Sequence, residues 1–211
     1  MKVLVIGGNG RVGSLLVDKL ASQHQVVSGS RKPKREHNLN NVEHIFIDLL
    51  SDVDTIAKSM KDVDAVYFVS GSRGKNLLQI DLHGAIKSMQ AAQKAEVKRF
   101  VMLSSVFALQ PERWNESFLS NLTDYNIAKH YADLYLTTQT QLDYTILQPG
   151  ALKEEAGTGK IETNVTNPGS NSIANVVDTL FAILENNSTI NKVILMQDGN
   201  TPIDEAFLQL K

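Results

Sequence analysis

Short apolar runs alternate with longer mixed stretches along the chain. Runs of strand length occupy residues 2–6, 25–28, 44–47, 65–70, 99–104, 144–147 and 192–196. Several, such as Val3-Leu4-Val5-Ile6 and Phe100-Val101-Met102-Leu103, are continuous rather than alternating. Strands read this way when helices cover a parallel sheet on both faces, because then neither side of the strand meets water. The intervening stretches repeat their apolar positions at helical spacing. Residues 11–22 carry Val12, Leu15, Leu16 and Leu20, residues 76–95 carry Ile80, Ala85, Met89 and Ala92, and residues 125–138 carry Ala128, Ala132, Tyr135 and Leu136. Ser172 precedes a helical pattern over 173–185, where its hydroxyl can accept from a first-turn N–H. The alternation predicts an α/β, doubly wound Rossmann fold with a mostly parallel sheet of about seven strands and helices on both faces.

No linker, repeat or low-complexity segment interrupts the pattern, so residues 1–211 read as a single domain. The loosest stretches are 30–41, 108–123 and 153–170. The first is basic and polar. The other two are candidates for a wall or lid, with small substrate-side elements expected from 108–123 and 151–172.

The first run ends in Gly7-Gly8-Asn9-Gly10-Arg11-Val12-Gly13 and opens directly into a helical pattern. Strand, glycine loop and helix together form a dinucleotide signal that glycines alone do not. Gly7 allows the tight turn, Gly10 lets the backbone approach a pyrophosphate, and Gly13 lets helix and strand pack closely. The helix start then offers free N–H groups and the positive end of its dipole to an anion.

A site for NAD usually places a carboxylate near the end of the second strand to hold the ribose 2′-hydroxyl. Here that region reads Ser28-Gly29-Ser30-Arg31-Lys32-Pro33-Lys34-Arg35, with four cations and no carboxylate. The planar fork of Arg31 suits a 2′-phosphate, with Lys32 adding charge. NADP is therefore favoured over NAD, with a solvated basic loop as the alternative.

Composition narrows the remaining chemistry. The 211 residues include no cysteine, which removes disulfides, thiolate catalysis and cysteine-bound zinc, and a reducing cytoplasm fits this. The five histidines form no H-x-x-x-H pair and no cluster with carboxylates at ligand spacing, so no metal is expected. A net charge of −2 gives no sign of a nucleic-acid or anionic-membrane partner. No run of about 18 apolar residues is present, so no membrane span is expected.

The chain resembles the atypical and extended short-chain dehydrogenase/reductases, particularly compact members akin to flavin/biliverdin reductases and NmrA-like proteins. The resemblance rests on GGNGRVG at the start, Ile47-Asp48-Leu49, Val69-Ser70-Gly71, Phe100-Val101-Met102-Leu103-Ser104-Ser105, Tyr125-Asn126-Ile127-Ala128-Lys129 and Tyr144-Thr145-Ile146-Leu147-Gln148-Pro149-Gly150. It implies that Asp48 accepts from the adenine amino group, with Leu49 against the ring. Ser70 and Gly71 would lie along the adenosine ribose and phosphate, Pro149 and Gly150 near the nicotinamide, and Lys129 on the nicotinamide ribose.

Tyr125 and Lys129 are four residues apart, so one helix face presents both. An ammonium beside a phenol favours the phenolate, which would tune Tyr125 toward proton transfer near neutral pH. Ser105, with Ser104 in reserve, is the candidate to hold a substrate carbonyl oxygen. The expected reaction is hydride transfer from NADP(H) to a small carbonyl, quinone or flavin-like acceptor, with Tyr125 as general acid/base. Two other readings stand beside it. One is a non-catalytic NADP(H)-binding sensor. The other is a sugar-nucleotide epimerase or dehydratase, which the short stretch after Gly150 disfavours. Trp114 is either a cover for substrate or a loop anchor, and Arg73 and Lys75 either reach cofactor phosphates or are solvated.

Overall fold

The computed structural model describes residues 1–33 and 39–210. In chain order the strands are β1 (Lys2–Ile6), β2 (Gln25–Ser30), β3 (Val42–Phe46), β4 (Ala65–Phe68), β5 (Arg99–Leu103), β6 (Asp143–Pro149), β7 (Ala151–Lys153), β8 (Lys160–Glu162), β9 (Ser170–Ser172), β10 (Lys192–Asp198) and β11 (Thr201–Pro202). The α-helices are α1 (Arg11–Ala21), α2 (Val53–Lys58), α3 (His83–Lys94), α4 (Thr123–Gln139), α5 (Ile173–Glu185) and α6 (Ile203–Phe207).

The main sheet runs β11-β8-β10-β6-β5-β4-β1-β2-β3. Its seven strands from β10 to β3 are all parallel and match the seven expected runs. At the β10 edge, β8 and β11 add on antiparallel, while β7 and β9 pair separately. These four short strands lie outside the sequence expectation.

Alternation along β1 shows why its run is continuous. Val3 and Val5 enter one core with α1 and α5, while Leu4 and Ile6 enter the other with Ile56 of α2 and Met89 of α3. All four strand residues are essentially inaccessible to solvent. Each fully buried aliphatic side chain of this kind contributes about 1.5–3 kcal/mol.

One expected helix differs in form. Residues 76–95 read as one continuous helix, but Leu77–Leu82 winds as a π-helix before α3 begins. The wide turn carries the buried Asp81, whose carboxylate accepts from the Ser72 N–H at 3.1 and 3.2 Å. Wide turns of this kind concentrate at functional sites.

Candidate functional site

The strand order reverses between β1 and β4, and a groove opens at the carboxyl ends of these two strands. In a doubly wound sheet this is where ligands bind. The first chamber of the groove has a volume of about 470 Å³ and is bounded by Gly7, Asn9 and Gly10 on one side and Arg31, Leu49 and Ser70 on others. A second chamber, about 370 Å³, continues past Gly10, Ser70 and Gly71.

The glycine loop is built as the sequence requires. Gly7 has φ of +98°, and its N–H and that of Gly8 both donate to the Gly29 carbonyl at 2.9 and 3.1 Å. Gly13 does not line the groove. It lies beneath it, where a Cβ would stand 2.1 Å from the Gly7 carbonyl oxygen. Gly10 is the N-cap of α1 and supplies no side-chain cap, and the first turn holds no acidic residue. The first-turn N–H groups therefore lack an internal partner, a fit for an anion. Arg11 and Val12 line the second chamber.

Arg31 and Lys32 both face the first chamber, and the Asn9 amide fixes their loop by donating to the Lys32 carbonyl at 2.6 Å. Ser30 Oγ, beside them, is buried with no partner among the described residues. An orphaned hydroxyl, two cations and an uncapped helix start are a donor set for phosphate and ribose oxygens, so the residues present fit a dinucleotide. Lys34 and Arg35 fall outside the described residues. Asp48 is set back from the wall: its Oδ1 accepts from the Leu50 N–H at 3.0 Å, while Ile47 and Leu49 on either side form the chamber surface.

The second chamber gathers Ser105, Tyr125, Lys129, Pro149 and Gly150, as well as Ser104. The two serines are distinguished by their partners. Ser104 Oγ donates to Asp133 Oδ2 at 2.6 Å, away from the chamber, whereas Ser105 lies close enough to Tyr125 to lower its pKa. The Lys129 ammonium, 3% exposed, donates to the Leu103 carbonyl at 2.7 Å.

The expected lowering of the Tyr125 pKa by Lys129 is not found. Burial of the hydroxyl raises it, and the charges of Asp81 and Asp133 add to that, with only the Ser105 hydrogen bond opposing. Burial and the two carboxylates dominate, and the ammonium directs its hydrogen bond to the Leu103 carbonyl rather than to the phenol. Burial likewise lowers Lys129, against the pull of Asp133 and Asp81. Tyr125 is thus a neutral hydrogen-bond donor over the whole physiological range.

Two segments wall this chamber. Phe118 and Leu122 come from 108–123, and Ala151 and Leu152 from 151–172. Arg113 binds these segments together: it grips Glu116 at 2.7 and 2.8 Å, donates to the Thr166 carbonyl at 2.6 Å and stacks over Phe107. Trp114 is a loop anchor, donating from its indole N–H to the Phe107 carbonyl at 3.0 Å. Arg73 reaches the rim of the chamber. Asp133 and Gln148, behind the serines, escaped the sequence reading. The signal for Asp133 was present, as the next four-residue step of the Tyr125–Lys129 stripe on α4.

A doubly wound sheet with an uncapped glycine turn at its switch point is a dinucleotide-binding fold. The chain belongs to the NAD(P)H-binding family, whose model matches residues 7–187. It is 47% identical to the oxidoreductase ylbE from Lactococcus lactis, with a TM-score of 0.96 over 100% of this chain and 96% of that one. It is 36% identical, over the full length of both chains, to a Bacillus subtilis protein named uncharacterized sugar epimerase YhfK. A Bacillus halodurans structure described as a candidate NAD-dependent epimerase/dehydratase is 32% identical, with a TM-score of 0.87 over 100% of both chains. Among the described residues no metal-ligating cluster occurs, and no helix is long and apolar enough to cross a membrane.

Proposed function

We propose that the protein is an NADP(H)-dependent oxidoreductase of the short-chain dehydrogenase/reductase type, reducing a small carbonyl, quinone or flavin-like acceptor. The observation that carries this is the meeting of Ser105, Tyr125 and Lys129 in a chamber continuous with the nucleotide groove. The nicotinamide, when bound, supplies the hydride that adds to the acceptor carbon. Tyr125 gives its proton to the acceptor oxygen, so that one hydride and one proton complete the reduction. Ser105 donates to the same oxygen and holds it in line. Lys129, fixed by Leu103, is placed to hold the ribose. Phe118, Leu122 and Leu152 limit water at the reacting atoms.

The state of Tyr125 favours reduction over epimerisation. An epimerase of this type opens by taking a proton from a substrate hydroxyl, which needs a phenolate. Burial and two carboxylates work against that form. The volume of the chamber also suits a small acceptor, since ligand pockets span about 300–1,000 Å³.

The test is NADPH consumption by the purified protein across ketones, quinones and flavins, with deuterium at C4 of the cofactor. Turnover with deuterium transferred to the acceptor supports the reading. An NADPH complex that reduces nothing points to the sensor instead. For the cofactor, Arg31→Ala should weaken NADPH about 10- to 100-fold, since a hydrogen bond to a charged group contributes about 1.5–3 kcal/mol. NADH affinity should hold, and titration calorimetry with both would show it. Equal losses would remove the 2′-phosphate from Arg31.

A further inference from the structure

Asp133 is fully buried, yet no step above uses it. Its Oδ2 accepts from Ser104 Oγ of the β5 end at 2.6 Å and from Gln148 Nε2 of β6 at 2.8 Å, while its Oδ1 is buried without a hydrogen bond among the described residues. On α4 it stands one turn after Lys129 and two after Tyr125. The helix therefore grips the end of β5 at two successive residues, Lys129 on the Leu103 carbonyl and Asp133 on the Ser104 hydroxyl. The next residue, Ser105, then lines the same chamber as Tyr125.

We propose that Asp133 is a positioning residue: it fixes the serine end of β5 against α4, provides a buried counter-charge for Lys129 and holds Tyr125 in its neutral form. This rests on the reading of Tyr125 as the proton donor and of Lys129 as its cationic neighbour on the ribose. An isolated buried ion is costly, so the carboxylate and the ammonium stabilise each other's charged forms. Burial pushes the Asp133 carboxyl up to about 6, opposed by Lys129, by the hydrogen bonds from Ser104 and Gln148, and by His130. Asp81, from the π-helical turn, acts on the same Lys129 and Tyr125. Above about pH 6 the ionised Asp133 raises the proton affinity of both. As pH falls through that value the counter-charge is lost.

Asp133→Asn tests this through the pH profile of NADPH-dependent turnover. The alkaline limb should move to lower pH by about one unit or more, because a carboxylate that favoured both protonated groups is gone. The acidic limb near 6 should disappear, and Asp133→Glu should restore part of the wild-type profile. A profile that only scales down, with both limbs in place, overturns the proposal. If Asp133→Asn does not fold, Gln148→Leu serves instead. It removes one donor to the ionised carboxylate and should move the acidic limb upward, and an unmoved limb is again fatal. If the wild type reduces no acceptor, ultraviolet titration of the tyrosines gives an independent reading, with Tyr125→Phe identifying the relevant phenol. Tyr125 should ionise at lower pH in Asp133→Asn than in wild type, and unchanged titration rejects the counter-charge whatever the protein's activity.

Discussion

Tyr125→Phe is expected to lower the rate of ketone reduction by roughly 10²–10⁴-fold, the usual contribution of a positioned proton donor. NADPH affinity should persist, because the hydroxyl lies in the second chamber while the basic loop and glycine turn lie in the first. The effect should depend on the acceptor. A ketone oxygen must gain a proton as hydride arrives, so its reduction needs the phenol. A flavin can accept hydride with little acid–base help, and its reduction should fall far less. Because Tyr125 is raised, the wild-type donor stays protonated from acid through neutral pH and is lost only when pH climbs toward its elevated value. Steady-state rates on paired ketone and flavin acceptors check all of this. A variant that reduces ketones at the wild-type rate removes Tyr125 from the chemistry.

Gly13→Ala should damage both stability and cofactor binding. The added Cβ would stand 2.1 Å from the Gly7 carbonyl oxygen and 2.8 Å from its carbon, and 3.1 Å from Gly8 Cα. These are backbone atoms, so no side-chain rotation relieves the clash, and α1 must back away from β1. Overpacking of this kind costs about 1–3 kcal/mol. In a chain of this length that lowers Tm by about 2–12 °C. The same displacement moves the helix start from the groove and carries the first-turn N–H groups with it, so NADPH should weaken in parallel. Thermal unfolding and NADPH titration of one preparation read both. An unchanged Tm with unchanged affinity would show that the turn is looser than its geometry.

The parallel sheet was legible because its central strands are apolar on both faces, as in Val3-Leu4-Val5-Ile6 of β1 and Ala65-Val66-Tyr67-Phe68 of β4. β7, β8, β9 and β11 were not, since two- and three-residue strands hold no periodicity and exist only through their partners. Asp198 shows the dependence: it accepts from Ser172 at 2.7 Å and Asn175 at 2.8 Å, joining segments far apart in sequence. α2 was also missed, although Asp52 caps it by accepting from the Thr55 N–H at 2.7 Å. Six residues are too few for a helical repeat to register. At the site, the glycine turn and the Tyr125–Lys129 pair are local patterns and read directly. The proton affinity of Tyr125 is not local. It is set by burial and by Asp81, which reaches the site only through the π-helical turn before α3.

The two chambers share Gly10, Ser70 and Gly71 as a common border. A dinucleotide laid along the groove would cross that border and become one side of the space beside Tyr125. The acceptor would then be recognised partly by the cofactor itself, and its surroundings would be complete only after the cofactor had arrived. The salt bridge of Arg11 with Glu154, 2.6 Å, joins the first turn of α1 to the segment that walls the second chamber. One wall of the second chamber is thus tied to the glycine-loop helix through an exposed ion pair.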